Sequence, residues 1–328
     1  MRLTRLSKVV FCFAFLVHAF SCLVNANGPI ADWHSYRQSQ TALTIRSYVE
    51  NGWSLFYETP IVGQPWMIPM EFPLYQSIVY AVHCCFRGNL ELECRVVSLL
   101  FFYASFVVGS RLLPVFLKGI ERWLLYFIGA AVLASSYYLY WADAILIEST
   151  GLFLSLLSAW LLHLFFLYEG SAKYGVALMA TTSFLALSKI TTVIGVFAPF
   201  AALLGLSYLM NPIVRCNQKF IVVISLLIIV GVNYFLLNTW VEQCDLIKSE
   251  NPLAKKWVSD NLVLWNFGTL NQRLSPLNWL TYFKGLGHYN FYFWSIAGGV
   301  AVWNSIRDRT LRAWNAGMLL IMLTGPLV

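Results

Sequence analysis

Residues 8–42 read "KVVFCFAFLVHAFSCLVNANGPIADWHSYRQSQTA", and this stretch decides the fold. Positions 8–25 are apolar almost throughout and long enough to cross the hydrocarbon core of a bilayer. The run then ends abruptly in a polar cluster: Asp32, His34, Arg37, Gln38 and Gln40. Arg2, Arg5 and Lys8 precede it, which places the N-terminus on the cytoplasmic side and the polar cluster on the opposite face.

Further apolar runs follow at 96–115, 123–140, 149–167, 174–188, 190–209, 220–237, 286–304 and 313–328. Counting the first run, this predicts about nine membrane-spanning helices. Composition agrees: 59% of residues are hydrophobic and only 11% charged, against about 25% charged in a soluble domain. The expected fold is an all-α polytopic membrane protein in contact with the lipid bilayer. A net charge of +7 would suggest nucleic acid in a soluble chain. Here the basic residues sort by membrane side, and no nucleic-acid partner is expected. Lys118 and Arg122, then Lys173, then Arg215 and Lys219, then Arg307, Arg309 and Arg312 all fall on the cytoplasmic side.

Two stretches could break that alternation. "LYQSIVYAVHCCF", 74–86, is apolar but too short to span, and reads as an interfacial or re-entrant helix. The run 174–209 is divided at "LSKITT", 187–192, because Lys189 is costly at the centre of a bilayer. The basic start, apolar core and "VNA" before Asn27 also resemble a secretory signal, but cleavage there would unanchor the segment carrying Asp32. The resulting division is a first helix in 1–25, an outer segment 26–95, a bundle 96–237, a second outer segment 238–285 and C-terminal helices in 286–328. Both outer segments are rich in Trp, Tyr and Phe, so they are expected to be ordered and to face the same side.

Within 41–51, "TALTIRSYVEN", Ala42, Ile45, Tyr48 and Val49 fall on one helical face and Thr44, Arg46, Ser47 and Glu50 on others, as in an amphipathic interfacial helix. Asp32 then has two readings, a helix cap at a solvated junction or a carboxylate placed as a base or charge partner. Arg37 is available to an anion. "YYLYWADAILIEST", 137–150, carries Asp143 and Glu148 at a membrane boundary with no basic residue nearby in sequence. Each is either a cap or a functional acid. Lys189 either snorkels or faces a cavity holding an anion. "WNFGTLNQRLSPLNW", 265–279, could turn Asn271, Gln272 and Arg273 towards an anion. His163 and His288 are isolated. The cysteines Cys12, Cys22, Cys84, Cys85, Cys94, Cys216 and Cys244 fit no metal spacing. A disulfide among Cys84, Cys85, Cys94 and Cys244 and burial as small apolar side chains both remain open.

The segment "ADWHSYRQSQTALTIRSYVENGWSLFYETPIVGQPWMIPMEFPLYQSIVYAV", 31–82, resembles the first extracytoplasmic loop of GT-C class glycosyltransferases, family 39-like. Those enzymes include protein O-mannosyltransferases and lipid A aminoarabinose transferases. The loop of that class runs from an acidic motif after the first span, through an interfacial helix, to a Pro-Leu segment and a second interfacial helix. Asp32 matches the catalytic acid, "SYRQSQTA" the helix start and "EFPLYQ", 71–76, the Pro-Leu segment. Asp143 or Glu148 matches a second acidic site. The chain departs from the class in three places. Trp33 stands where many relatives have a further acid, Glu71 where some have a base, and the chain stops in "LLIMLTGPLV", as a truncated or minimal member would.

The resemblance implies a GT-C-type bundle in a bacterial inner membrane, acting on its periplasmic or outer face. It would transfer a sugar from a polyprenyl-phosphate-linked donor to a lipid, glycan or protein acceptor, with inversion. Asp32 would be the base, with Glu148 and Asp143 as further catalytic acids. Arg37, Lys189 and Arg273 would bind the donor phosphate, and His34, Gln38, Glu71 and Tyr75 would line the substrate groove. No obligatory cofactor follows; a divalent cation is used by some members. The rival readings are a transporter or flippase of a lipid-linked or anionic solute, which usually shows repeated halves or broken helices, and a non-catalytic scaffold.

Overall fold

The computed structural model describes residues 2–26, 28–30, 34–61, 63–116 and 121–281. The expected spans 286–304 and 313–328, His288 and Asp32 lie outside the described residues. In chain order the helices are α1 (Arg2–Asn25), α2 (Ser35–Asn51), α3 (Leu74–Phe86), α4 (Leu90–Phe116), α5 (Arg122–Leu133), α6 (Ser136–Asp143) and α7 (Glu148–Leu167). They continue with α8 (Ala172–Thr192), α9 (Ala198–Leu209), α10 (Cys216–Ser249), α11 (Ser259–Phe267) and α12 (Leu270–Leu274). Among the described residues the only extended pairing is an isolated bridge, Glu58 to Met67. Five helical runs are long and apolar enough to cross a membrane: Leu3–Asn25, Leu90–Val115, Glu148–Leu167, Ala172–Leu209 and Cys216–Ser249. The chain is therefore an all-α membrane protein.

The fourth of these runs turns back on itself. Straight, it would hold Gly175 and Tyr208 about 50 Å apart. Yet the Tyr208 ring stacks on Phe166 with centroids 4.8 Å apart, and a Cβ on Gly175 would stand 3.2 Å from the ring of the adjacent Phe165. Both ends of the run therefore meet the Leu167 end of α7, while its middle, at Lys189 and Thr192, packs by Gly151 near the Glu148 end. The reversal begins at Lys189, whose φ −161° and ψ 82° leave the helical region, and continues through a π-helical turn, Val193–Phe197. The packing at Gly151 is close enough that a Cβ there would stand in van der Waals contact with the Lys189 and Thr192 side chains.

Other boundaries differ from expectation. The run 123–140 is two helices, because the chain becomes extended at Ser135 (φ −75°, ψ 128°) between α5 and α6. A serine offers its backbone the local hydrogen bonds that compete with helix. Helix α4 starts at Leu90, with Glu91 and Glu93 in the first turn where the helix dipole favours acids. Helix α10 runs on to Ser249, so 238–249 is rod rather than loop. On α2 the buried face carries Gln38, Gln40, Thr41, Thr44 and Ser47 beside Ile45 and Tyr48, while Val49 is exposed. The expected apolar stripe is replaced by a mixed one because this helix packs on protein: Ile45 belongs to one buried cluster with Tyr75 and Val79 of α3, Cys94 and Val97 of α4, and Ile145 and Ile147. All seven cysteines are free thiols; Cys94 and Cys244 are buried, Cys84 and Cys85 exposed.

At the Glu148 end of the bundle the two segments expected to lie outside are joined. Asn251 Nδ2 donates to the carbonyls of Gly63 (3.1 Å) and Pro65 (3.0 Å). Trp240 donates to the Met70 carbonyl at 3.0 Å and stacks on Phe56 with centroids 5.5 Å apart.

Candidate functional site

The turn at Lys189 removes a helical partner from the Leu187 carbonyl, which accepts instead from the backbone N–H of Phe72 at 3.0 Å. This docks 70–72 onto the break in α8. Tyr57 secures the first two of these residues, accepting from Met70 N–H at 2.8 Å and donating to the Glu71 carbonyl at 3.1 Å. Its burial pushes the phenol well above its ordinary pKa, so it stays a donor. Pro73, which cannot donate a backbone hydrogen bond, precedes α3.

Held in this way, Glu71 accepts from Arg37 Nη2 at 2.7 Å, and Arg37 Nη1 reaches Gln40 Oε1 at 3.3 Å. Burial alone would raise the Glu71 carboxyl, but the Arg37 charge and hydrogen bond outweigh it and hold the group below the usual carboxylate range. The Glu71 charge in turn raises Arg37. Lys189 hydrogen-bonds Glu148, and this second pair is brought near the first because Phe72 bonds Leu187 and Ile147 lines the cleft beside Arg37 and Glu71. The two pairs feel each other: Glu71 is stabilised by Lys189, and Arg37 by Glu148. Four charges from α2, the 70–72 segment, α7 and the turn of α8 thus form one alternating group with formal charges that cancel. None is sealed, with side chains 40% and 32% exposed in the first pair and 25% and 29% in the second. Pairs this exposed contribute about 0–1 kcal/mol each, so they fix position more than stability. A small cleft beside them is lined by Arg37, Gln40, Thr44, Tyr57, Glu71 and Gln76.

The other expected residues divide between core and periphery. Tyr75 is core, 1% exposed, donating to the Cys94 carbonyl at 2.8 Å and accepting from Ser98 at 3.0 Å. Its neighbour Gln76 lines the cleft instead, and its Oε1 is buried without a protein partner. Sequence reasoning missed Gln76; the helical offset of one residue from a buried Tyr was its available signal. Gln38 is fully buried and ties α2 to the loop before α7, accepting from Ile145 N–H at 2.9 Å and donating to Tyr140 OH at 3.3 Å. Exposed His34 lies near Trp141, with ring centroids 5.5 Å apart.

Neither acid of the 137–150 stretch is uncompensated. Glu148 has Lys189, and buried Asp143 lies 4.0 Å from the guanidinium of Arg95, which also reaches the carbonyls of Asp143 and Gly28 at 3.5 Å. Arg95 is 3% exposed inside α4. A buried arginine at the start of an apolar run requires a partner, and that was the overlooked signal. Arg273 is exposed on α12, and no described contact brings it to the charged group. Gln272 is engaged in a capping box with Thr269. Among the described residues no group of three His, Cys, Asp or Glu is placed to hold a metal ion.

No protein-family model, curated protein or solved structure matches the chain. Fold and site define a helical membrane protein with an interlocked, partly exposed charge group at one end of its bundle.

Proposed function

We propose that this chain is a membrane glycosyltransferase that moves a sugar from a polyprenyl-phosphate-linked donor to an acceptor hydroxyl on the extracytoplasmic face. The observation that carries the reading is the meeting of Arg37, Glu71, Glu148 and Lys189 beside the helix that follows the Asp32 segment. The order α1, acidic segment, α2, "EFPLYQ", α3 also agrees with the GT-C resemblance. In this reading about nine spans place 26–95 and 238–285 outside. Asp32 accepts the proton of the acceptor hydroxyl as its oxygen bonds the anomeric carbon and the bond to the phosphate oxygen breaks, with inversion. Arg37 and Lys189 neutralise the leaving phosphate. A rival reading as a transporter is favoured by one feature, the charged break in the run 172–209.

One experiment separates them. Purified protein is incubated with a panel of polyprenyl-phosphate sugars and acceptors, and free polyprenyl phosphate and glycosylated acceptor are measured together. Transfer supports the enzyme. Substrate crossing proteoliposomes without a new glycosidic bond supports the transporter.

A further inference from the structure

Resting on the reading above, we infer that Arg37 and Lys189 form one seat for a phosphate group, closed in the free protein by Glu71 and Glu148, and that phosphate enters by displacing these carboxylates. Two cations facing two carboxylates make a group with no net attraction for an anion, however suitable each cation is alone. A phosphate added beside the intact pairs would bring its charge against both acids in a partly dehydrated cleft, where repulsion is less screened than in water. Either the acids yield or the anion does not bind.

The geometry allows them to yield. Each charged side chain is partly exposed, so a released carboxylate can turn to water. Glu71 is fixed through its backbone, by Tyr57 and by the Phe72 to Leu187 hydrogen bond, so its carboxylate, which also accepts from its own backbone N–H, can leave Arg37 while the segment stays docked. Glu148 uses one oxygen on Lys189, and its other oxygen, Oε2, is buried without a protein partner. That atom gains nothing from staying. Arg37 keeps Gln40 when Glu71 leaves, and the main-chain turn fixes where the Lys189 backbone stands. Planar guanidinium and compact ammonium together suit a tetrahedral phosphate oxyanion.

Binding to the purified full chain tests this, using farnesyl phosphate as probe with farnesol and inorganic phosphate as controls. Glu71→Gln and Glu148→Gln should each tighten farnesyl phosphate by about tenfold, the scale of one partly screened charge, and leave farnesol unchanged. Arg37→Gln and Lys189→Gln should weaken it by a similar factor. If a Gln variant does not fold, Glu71→Asp or Glu148→Asp, which keeps the charge but shortens its reach, should still bind more tightly than the parent. Equal or weaker binding in the folded Glu variants overturns the inference and leaves the pairs as structural ties. Equal tightening towards inorganic phosphate supports the seat and assigns it to free phosphate rather than a lipid headgroup. Tightening without sugar transfer from any carrier also supports the seat, while removing the transferase reading. Transfer without tightening does the reverse.

Discussion

Asp32 and Glu71 carry the two predictions that belong to single side chains. Asp32→Asn keeps size and much of the hydrogen bonding but removes the basic oxygen. In the proposed reading its loss should lower transfer by about 10²–10⁴-fold with insertion and donor binding retained, as measured by initial rates on quantified protein. Normal transfer by the inserted variant would end the assignment. Glu71 titrates below an ordinary carboxyl because Arg37 faces it. Its contribution to stability is therefore complete above the unfolded-state pKa of about 4.3 and is lost as pH falls through the lower folded value. Thermal unfolding in detergent should show an acid-side loss that Glu71→Gln reduces. An identical profile in parent and variant would remove the pair from the account. Arg37, Glu71, Glu148 and Lys189 each stood out in the sequence, Gln76 did not, and the pairing of the four charges was not readable there. Arg37 and Glu71 are 34 positions apart, Glu148 and Lys189 41, and no spacing rule reaches across such intervals. Tyr75 and Gln76 were distinguishable only once a packed face for α3 existed.

At the level of elements, α3 was readable in full because its apolar run is bounded by Pro73 and by Arg87, which adopts the left-handed conformation with φ 50°. The α5–α6 break was not, since Ser135 lies inside a run whose hydropathy hardly changes. The turn at Lys189 was legible from the cost of a charge in the membrane, whereas the loop docking on it was not. Gln38 makes a prediction here. Gln38→Leu would leave Ile145 N–H without its acceptor inside the protein, at a cost of about 1–3 kcal/mol. A lowered Tm should accompany loosening of 143–147, seen as faster hydrogen exchange at Ile145. Unchanged exchange there would show that α2 does not hold this loop.

For the whole molecule, the alternation of basic residues predicts that 26–95 and 238–285 occupy one side, and the contacts from Asn251 and Trp240 require the same of their partners near Met70. Cysteines introduced at Gln64 and Lys255 should both react with an impermeant thiol reagent on intact cells, in a background lacking the exposed native thiols. Reaction of only one would overturn the topology. Asn251→Ala should weaken the junction and leave 59–67 more open to protease without unfolding the bundle.

Helix α10 is one continuous rod of 34 residues. Asn233, partway along it, bonds Thr182 and Ser183 of α8, while Trp240 farther along grips the segment that carries Glu71. The segment carrying Glu71 and the helix carrying Lys189 are thereby tied to one and the same rod. That segment cannot shift away from the break at Lys189 unless the rod moves with it or its contacts at Asn233 and Trp240 are broken, so the spacing of the two ion pairs is set by a single helix.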